Sequence, residues 1–369
     1  MGGRATKRIL IVTAGFGEGH NSAARNLAGG FAEIDHHAEI ADPCLLGAPL
    51  NTRMVSIAYR FATTHMPRLW LATYRSTDRI DFSRERRPIR NPRRKLGELI
   101  DNGSFDALVA TYPLYPYLMQ HLFDRGCPRI PVFTVVTDSI VINSAWRKAP
   151  TDYWLVTDAS TRDAMVRSGL PQEKIIETGF PVHPGFVRLS PVPADDPANP
   201  FRILYFPTSK APYVRRIGAA LLAATGERGH LTIVLGRNFR RLYRRALELK
   251  QSYGNRVTIK GWTRKIPELM CSHHLVVGKA GGATVHEAIA AQCPMIVHHL
   301  VPGQEEGNLA LLEKVGGGRL ATTPQHIATA IRELLADGAS AWRHSKRELS
   351  RLGRRSGTAT AARFIIDHC

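Results

Sequence analysis

The sequence predicts an α/β protein of two doubly wound domains, each a parallel sheet wrapped by helices. Three observations carry that prediction. The chain has 369 residues, beyond the size at which one core keeps growing. A strand, a glycine turn and a helix start occur in both halves: residues 8–13 precede Gly15, Gly17 and Gly19, and residues 274–278 precede Gly281 and Gly282. Between the halves, residues 181–200 hold six prolines and no periodicity, which marks a linker. The expected boundaries are 1–183 for the first domain, 184–200 for the linker and 201–369 for the second.

Hydrophobic residues make up 44% of the chain and charged residues 22%, a globular composition. Fifty basic residues against 31 acidic ones give a formal charge of +19, which suits partners rich in phosphate. No apolar run is long enough to span a bilayer, and the N-terminus has no signal-peptide core. Five cysteines, Cys44, Cys127, Cys271, Cys293 and Cys369, share no metal-like spacing. A reduced, cytoplasmic compartment is expected.

In the first half, the strand at 8–13 leads into a helix whose Ala23, Ala24, Leu27 and Phe31 recur at helical spacing. His20 stands at the helix entry, where the dipole disfavours imidazolium and leaves a ring able to accept a proton. A loop histidine that only fills a hydrogen-bonding site is the plainer alternative. Residues 52–75, with Met54, Ile57, Phe61, Met66, Leu69, Trp70, Leu71 and Tyr74, read as an amphipathic helical pair broken at Pro67. Such a pair either packs in the core or faces lipid. The next stretch, 84–95, carries seven positive charges against one negative, with Arg84, Arg86, Arg87, Arg93 and Arg94 among them. Its two prolines predict a mobile basic loop. Beside an apolar helix such a run can hold an anionic bilayer at about 1 kcal/mol per charge, and it lacks the interleaved aromatics of single-strand binding. Strands follow at 105–111 and 130–137, with a helix at 114–123 between them and another capped by Ser160. Asp138 sits at the carboxyl end of the second strand, where open α/β sheets place ligand groups. It could orient His20, bind acceptor or simply form a turn.

In the second half, strands at 202–206, 231–235 and 256–263 lead to the most informative segment. After the strand at 274–278, Gly281 and Gly282 turn the chain and Thr284 starts a helix, so free N–H groups and the helix dipole converge on one anion site. Thr284 can add a hydroxyl donor, and Glu287, one turn on, can bind the two hydroxyls of a ribose. The loop at 302–308 presents Gln304, Glu305 and Asn308, groups that suit sugar hydroxyls. The arrangement fits a nucleotide-sugar diphosphate. The pairs His273-His274 and His298-His299 alternate strand faces, so neither makes a bidentate metal site.

The order Gly281-Gly282-x-Thr284-x-x-Glu287-Ala288, followed by Pro302-Gly-Gln-Glu-x-x-Asn308, resembles the donor half of glycosyltransferase family 28. That family holds the peptidoglycan N-acetylglucosaminyltransferase and the diacylglycerol galactosyl- and glucosyltransferases. Residues 9–24, Ile-Leu-Ile-Val-Thr-Ala-Gly-Phe-Gly-Glu-Gly-His-Asn-Ser-Ala-Ala, and the segment around Thr137-Asp138 look like its monogalactosyldiacylglycerol synthase and processive diacylglycerol glucosyltransferase branch. The resemblance implies a GT-B fold, two Rossmann-like domains facing a cleft, with residues 358–367 crossing back to the first domain. It makes His20 the catalytic base, and Asp138 stays the second catalytic candidate. It places uracil near Trp262 and Thr263, and Arg237 beside the diphosphate. Where the family has a glycine-rich turn after the strand at 202–206, this chain has Pro207-Thr-Ser-Lys210, so Ser209 and Lys210 would replace backbone N–H groups as phosphate ligands. Trp70 and the basic run would form the acceptor lid and membrane contact. The expected function is inverting transfer of a hexose from a UDP-sugar to diacylglycerol or a related lipid. UDP-sugar is then a substrate, no cofactor or metal is needed, and nucleic acid is not a partner. The protein would be cytoplasmic and peripheral on the inner face of the cell membrane. The alternatives are an N-acetylglucosaminyltransferase acting on a peptidoglycan lipid precursor and a weakly catalytic membrane-bound nucleotide-sugar sensor.

Overall fold

The computed structural model describes residues 6–78, 84, 87–197, 200–208, 210–353 and 356–369. The chain divides into two compact units, one of residues 1–184, 302–307 and 356–369, the other of 185–301 and 308–355. Among the described residues no helix is long and apolar enough to cross a membrane.

Unit 1 holds six parallel strands: β1 (Arg8–Val12), β2 (His37–Ala41), β3 (Ala107–Ala110), β4 (Val132–Val135), β5 (Tyr153–Val156) and β6 (Ile175–Glu177), in the order β2-β1-β3-β4-β5-β6. Strand side chains alternate, so Ile9 and Ile11 pack on one face while Leu10 and Val12 pack on the other. The first face is covered by the helix Glu18–Ala32, through Ala24, Leu27 and Phe31, and by the helix Thr358–Asp367, through Ala361, Ala362, Ile365 and Ile366. These two helices meet at Gly30, where a Cβ would come within 2.5 Å of the Thr358 methyl carbon. Only glycine lets them approach that closely. The second face is covered by the helices Arg90–Gly103 and Leu114–Phe123.

Three details depart from the sequence expectations. β2 is an edge strand with four of its five residues at least partly exposed, so it carries no apolar run to read. The basic stretch is not wholly a loop: Arg93 and Arg94 lie in the first turns of the helix Arg90–Gly103. Pro92 is tolerated there because the N–H it lacks has no intrahelical partner in a first turn. A third difference is smaller. Asp158, not Ser160, caps the helix Ala159–Arg167, its Oδ1 accepting from the Thr161 amide at 3.0 Å.

Unit 2 holds β7 (Phe201–Tyr205), β8 (Gly229–Val234), β9 (Val257–Lys260), β10 (Leu275–Lys279), β11 (Met295–His299) and β12 (Gly318–Leu320), all parallel in the order β12-β11-β10-β7-β8-β9. Its core joins these strands to the helices Ala211–Thr225, Phe239–Tyr253 and Pro324–Arg351. The last is broken at Asp337–Ala339, where φ turns positive, and Trp342 beyond the break donates from Nε1 to the His274 carbonyl at 2.7 Å. In each unit the first strand is flanked by connections running in opposite directions, between β1 and β3 and between β7 and β10. Such switch points, at the carboxyl ends of the strands, are where open parallel sheets bind ligands.

Candidate active site

His20 occupies the switch point of unit 1, in the first turn of the helix Glu18–Ala32. Its Nδ1 lies 2.8 Å from the Thr111 carbonyl oxygen and 3.0 Å from Thr137 Oγ1. Thr111 follows β3 and Thr137 follows β4, so three strand ends in register order define the ring's position. A carbonyl can only accept, so Nδ1 carries the proton and Nε2 keeps its lone pair. Tyr112 meets the imidazole edge-on at 5.2 Å between ring centroids, and Trp146 lies at 6.0 Å. This apolar surround pushes the His20 pKa down to about 4, the bond to Thr111 opposing it. The neutral ring expected from the helix dipole is therefore held chiefly by burial.

Asp138 does not take Nδ1. Its Oδ2 accepts from Trp146 Nε1 at 2.8 Å, which leaves it one indole away from His20. Orienting the histidine falls to Thr111 and Thr137. Burial pushes the Asp138 carboxyl up to about 6; the Trp146 bond pulls it down and the charge of Glu305 adds to the rise. Sequence reasoning missed Thr111, Tyr112 and Trp146. A hydroxyl or aromatic residue ending each of β3 and β4 was the available signal.

Gln304 and Glu305 belong to this unit, not to the one holding the glycine turn. Gln304 Oε1 accepts from the Tyr59 hydroxyl at 2.9 Å, and Glu305 is buried. Gly303 has φ +79° and lies where a Cβ would come within 2.6 Å of the Tyr74 ring. Trp70 also turns inward. Its indole is edge-on to Tyr59 at 5.0 Å, and its buried Nε1 has no hydrogen-bond partner. The surface of the helices Pro49–His65 and Pro67–Thr77 is left to Leu50, Met54, Ile57 and Phe61, 56–73% exposed at helical spacing, and to Leu69. Arg84, Arg87 and Arg94 are exposed and Arg93 half-buried, with Arg94 3.6 Å from Glu98. Arg86 lies outside the described residues.

In unit 2 the expected donor residues gather at the carboxyl ends of the strands. β10 runs through Ala280 into the helix Gly282–Ala290, with Gly281 as its N-cap in extended conformation. The helix therefore starts two residues before Thr284, which stands in its first turn with Glu287 a turn later. The first amides of this helix have no intrahelical acceptor and face the switch point. Asn308 supports the turn: Nδ2 donates to the Ala280 carbonyl at 3.1 Å, and the buried Oδ1 has no partner. Arg237 lies in the turn after β8, exposed, and Trp262, after β9, is 58% exposed with the Arg264 guanidinium 5.6 Å from its ring. Thr263 Oγ1 accepts from the Lys265 amide at 3.0 Å. Lys210 follows β7 and leans over its own helix, with Nζ 5.8 Å from the Tyr213 ring. Ser209 lies outside the described residues. Among the described residues no cluster of three or more His, Cys, Asp or Glu could hold a metal.

Residues 20–182 match the protein family described as monogalactosyldiacylglycerol (MGDG) synthase. The chain is 27% identical to the processive diacylglycerol β-glucosyltransferase of Staphylococcus saprophyticus over 332 residues, 86% of this chain and 82% of that one. It is 24% identical to the enzyme of the same name from Bacillus subtilis over 346 residues, 90% and 87% of the two chains. The crystal structure of Acinetobacter baumannii MurG superposes with a TM-score of 0.65 at 13% identity, over 98% of this chain and 99% of that one. At that identity the likeness concerns the fold, which is GT-B.

Proposed function

We propose that this chain is a member of the diacylglycerol glycosyltransferase branch of glycosyltransferase family 28, to which it is similar, and that it moves a hexose from a UDP-sugar to diacylglycerol or a related membrane lipid, with His20 as general base. The observation that carries the base assignment is the fixed imidazole: Nδ1 tied to Thr111 and Thr137, Nε2 holding a lone pair. An acceptor hydroxyl is a poor nucleophile at neutral pH. As it attacks the anomeric carbon, its proton passes to Nε2, the new C–O bond forms and the bond to the diphosphate breaks. Displacement from one side inverts the centre, so an α-linked donor gives a β-glycolipid. A base with a pKa near 4 gains from negative charge nearby as it becomes imidazolium. Asp138, beyond the Trp146 indole, supplies it once ionised.

The departing UDP needs preorganised positive potential. The amides of Gly282 and Ala283 and the Thr284 hydroxyl offer it at a helix N-terminus. Glu287 takes the ribose, Arg237 and Lys210 assist the phosphates, and Trp262 and Thr263 flank the uracil. Asn308 offers its spare acceptor to a ligand hydroxyl, and Gln304 and Glu305 serve the sugar. The apolar face of Pro49–Thr77 and the neighbouring arginines rest on the inner, anionic leaflet. Incubating the purified chain with isotopically labelled UDP-sugars and total membrane lipid tests this reading. A labelled glycolipid with a β-linkage is expected. Label appearing only in a peptidoglycan precursor, or in no lipid at all, overturns it.

A further inference from the structure

Unit 2 has a strongly cationic surface of its own, on the helix that follows Arg237. Between residues 207 and 265 the sequence holds fourteen Lys and Arg against two Glu. The helix Phe239–Tyr253 concentrates this charge, with four arginines, one lysine and a single glutamate. Its inner face, Leu242, Ala246 and Leu249, is buried in the unit's core. Its first two turns point outward: Phe239, Arg240, Arg241, Tyr243 and Arg244 are all exposed. Phe239 and Tyr243 stack on each other at 4.7 Å and remain 39% and 38% exposed. Both ion pairs of the helix, Arg244 at 3.6 Å and Arg245 at 3.0 Å, draw on the same Glu248. Most of the charge on this face is therefore uncompensated by the helix itself. Arg215 and Arg216, on the helix packed beside it, are exposed as well.

We propose that the outer face of Phe239–Arg244 is a second lipid-docking surface, which lays an aromatic pair and three arginines onto the headgroups of an anionic bilayer. The chemistry selects this partner. Guanidinium groups pair bidentately with phosphate oxygens, and aromatic rings with partly exposed edges favour the interface between headgroups and acyl chains. The helix is anchored by its buried side and cannot sink into the bilayer, so the contact is superficial and electrostatic, hence salt-sensitive. Single-stranded nucleic acid suits the surface less well. It needs open ring faces for bases to stack on, and here the two rings cover one another. Arg240, Arg241 and Arg244 have no part in the transfer chemistry proposed above.

The test uses the full chain and vesicles of phosphatidylcholine with or without phosphatidylglycerol. Replacing Arg240, Arg241 and Arg244 together by Gln should weaken partition onto the anionic vesicles by roughly tenfold or more, each basic side chain near a membrane being worth several-fold. Added salt should weaken the parent more than the variant. Transfer to a detergent-dispersed acceptor and the melting temperature should stay at parent values. If the triple variant misfolds, Arg241→Gln alone should still give a several-fold loss. Partition equal to the parent in a folded variant overturns the proposal. So does a parent that ignores anionic vesicles yet binds single-stranded oligonucleotides through these arginines. A parent that docks on anionic vesicles but transfers no sugar refutes the enzymatic reading and leaves this one standing.

Discussion

A histidine held neutral stands at the ligand end of unit 1 and two more at the opposite end of unit 2's sheet, and they differ in one respect. Burial pushes His20 and His273 down to about 4 and His274 to about 3. His273 has both ring nitrogens engaged, Nδ1 with the Leu269 carbonyl at 2.6 Å and Nε2 with Thr232 Oγ1 at 2.9 Å. His274 accepts from the Arg202 amide through Nδ1 at 2.9 Å, while Nε2 is sealed between Phe201 and Trp342. Of the three only His20 is not fully buried, and its two contacts, to Thr111 and Thr137, both use Nδ1 and leave Nε2 its lone pair. A displaced pKa therefore does not mark a catalytic group here. Access and a spare lone pair do.

The largest effect should come from His20→Ala, which should lower turnover by roughly 10²–10⁴-fold, the span typical of losing a general base. UDP affinity, measured by calorimetry, should stay near the parent value. Near-parent turnover in a folded variant would break the contrast and move the base to Asp138. The pH profile sharpens it. A base works deprotonated, so the parent's activity should fall as pH drops through about 4 if His20 alone titrates, with a further limb near 6 if Asp138 must be ionised. Asp138→Asn should abolish only the upper limb. Acid denaturation will not separate the histidines. Between their ordinary value of 6.5 and their folded values, the unfolded chain binds protons that the folded one refuses, so each costs stability as pH falls. The raised Asp138 acts in the opposite sense between 3.8 and about 6.

Glu287→Ala should weaken UDP binding by about 1.5–3 kcal/mol, the worth of a charged hydrogen-bonding partner, with little change in urea midpoint. Unchanged affinity by calorimetry would remove Glu287 from the ribose. His274→Ala should do the reverse, costing about 2 kcal/mol of unfolding free energy through the emptied space and the orphaned Arg202 amide. If it instead lowered turnover without loss of stability, His274 and His20 would not differ in role. The smallest effect belongs to Thr137→Val, which removes one of two acceptors from Nδ1 while the Thr111 carbonyl remains. Turnover should fall about three- to tenfold, with KM unchanged and the lower pH limb displaced. A variant identical to the parent in both would make Thr137 a bystander.

What the sequence disclosed, and what it withheld, follows from distance along the chain. The strand, glycine turn and helix start at 8–20 and at 275–290 are local patterns, readable because a buried strand is an apolar run and a turn needs small residues. His20 was visible for the same reason. Its partners were not: Thr111 lies 91 residues away and Thr137 lies 117 away, joined to it only by strand order. Residues 302–307 read as part of the second half because they follow β11, yet Tyr59, Tyr74 and the main chain of Ser139 hold them in the first unit. Trp70 looked like a membrane anchor because helical spacing alone cannot say which way an aromatic residue turns on a helix with apolar groups on both sides.

The helix Thr358–Asp367 has a consequence for how the chain is made. It lies over the sheet of unit 1, with Ala361, Ala362 and Ile365 fully buried against residues encoded some three hundred codons earlier. During synthesis, β1, β3 and β4 must therefore wait with one apolar face partly bare until residues 185–355 have emerged and had time to form their own core. The second unit can close first, and the first is completed last. A nascent chain stalled before residue 358 would display an uncovered hydrophobic sheet, a ready mark for chaperones or proteases.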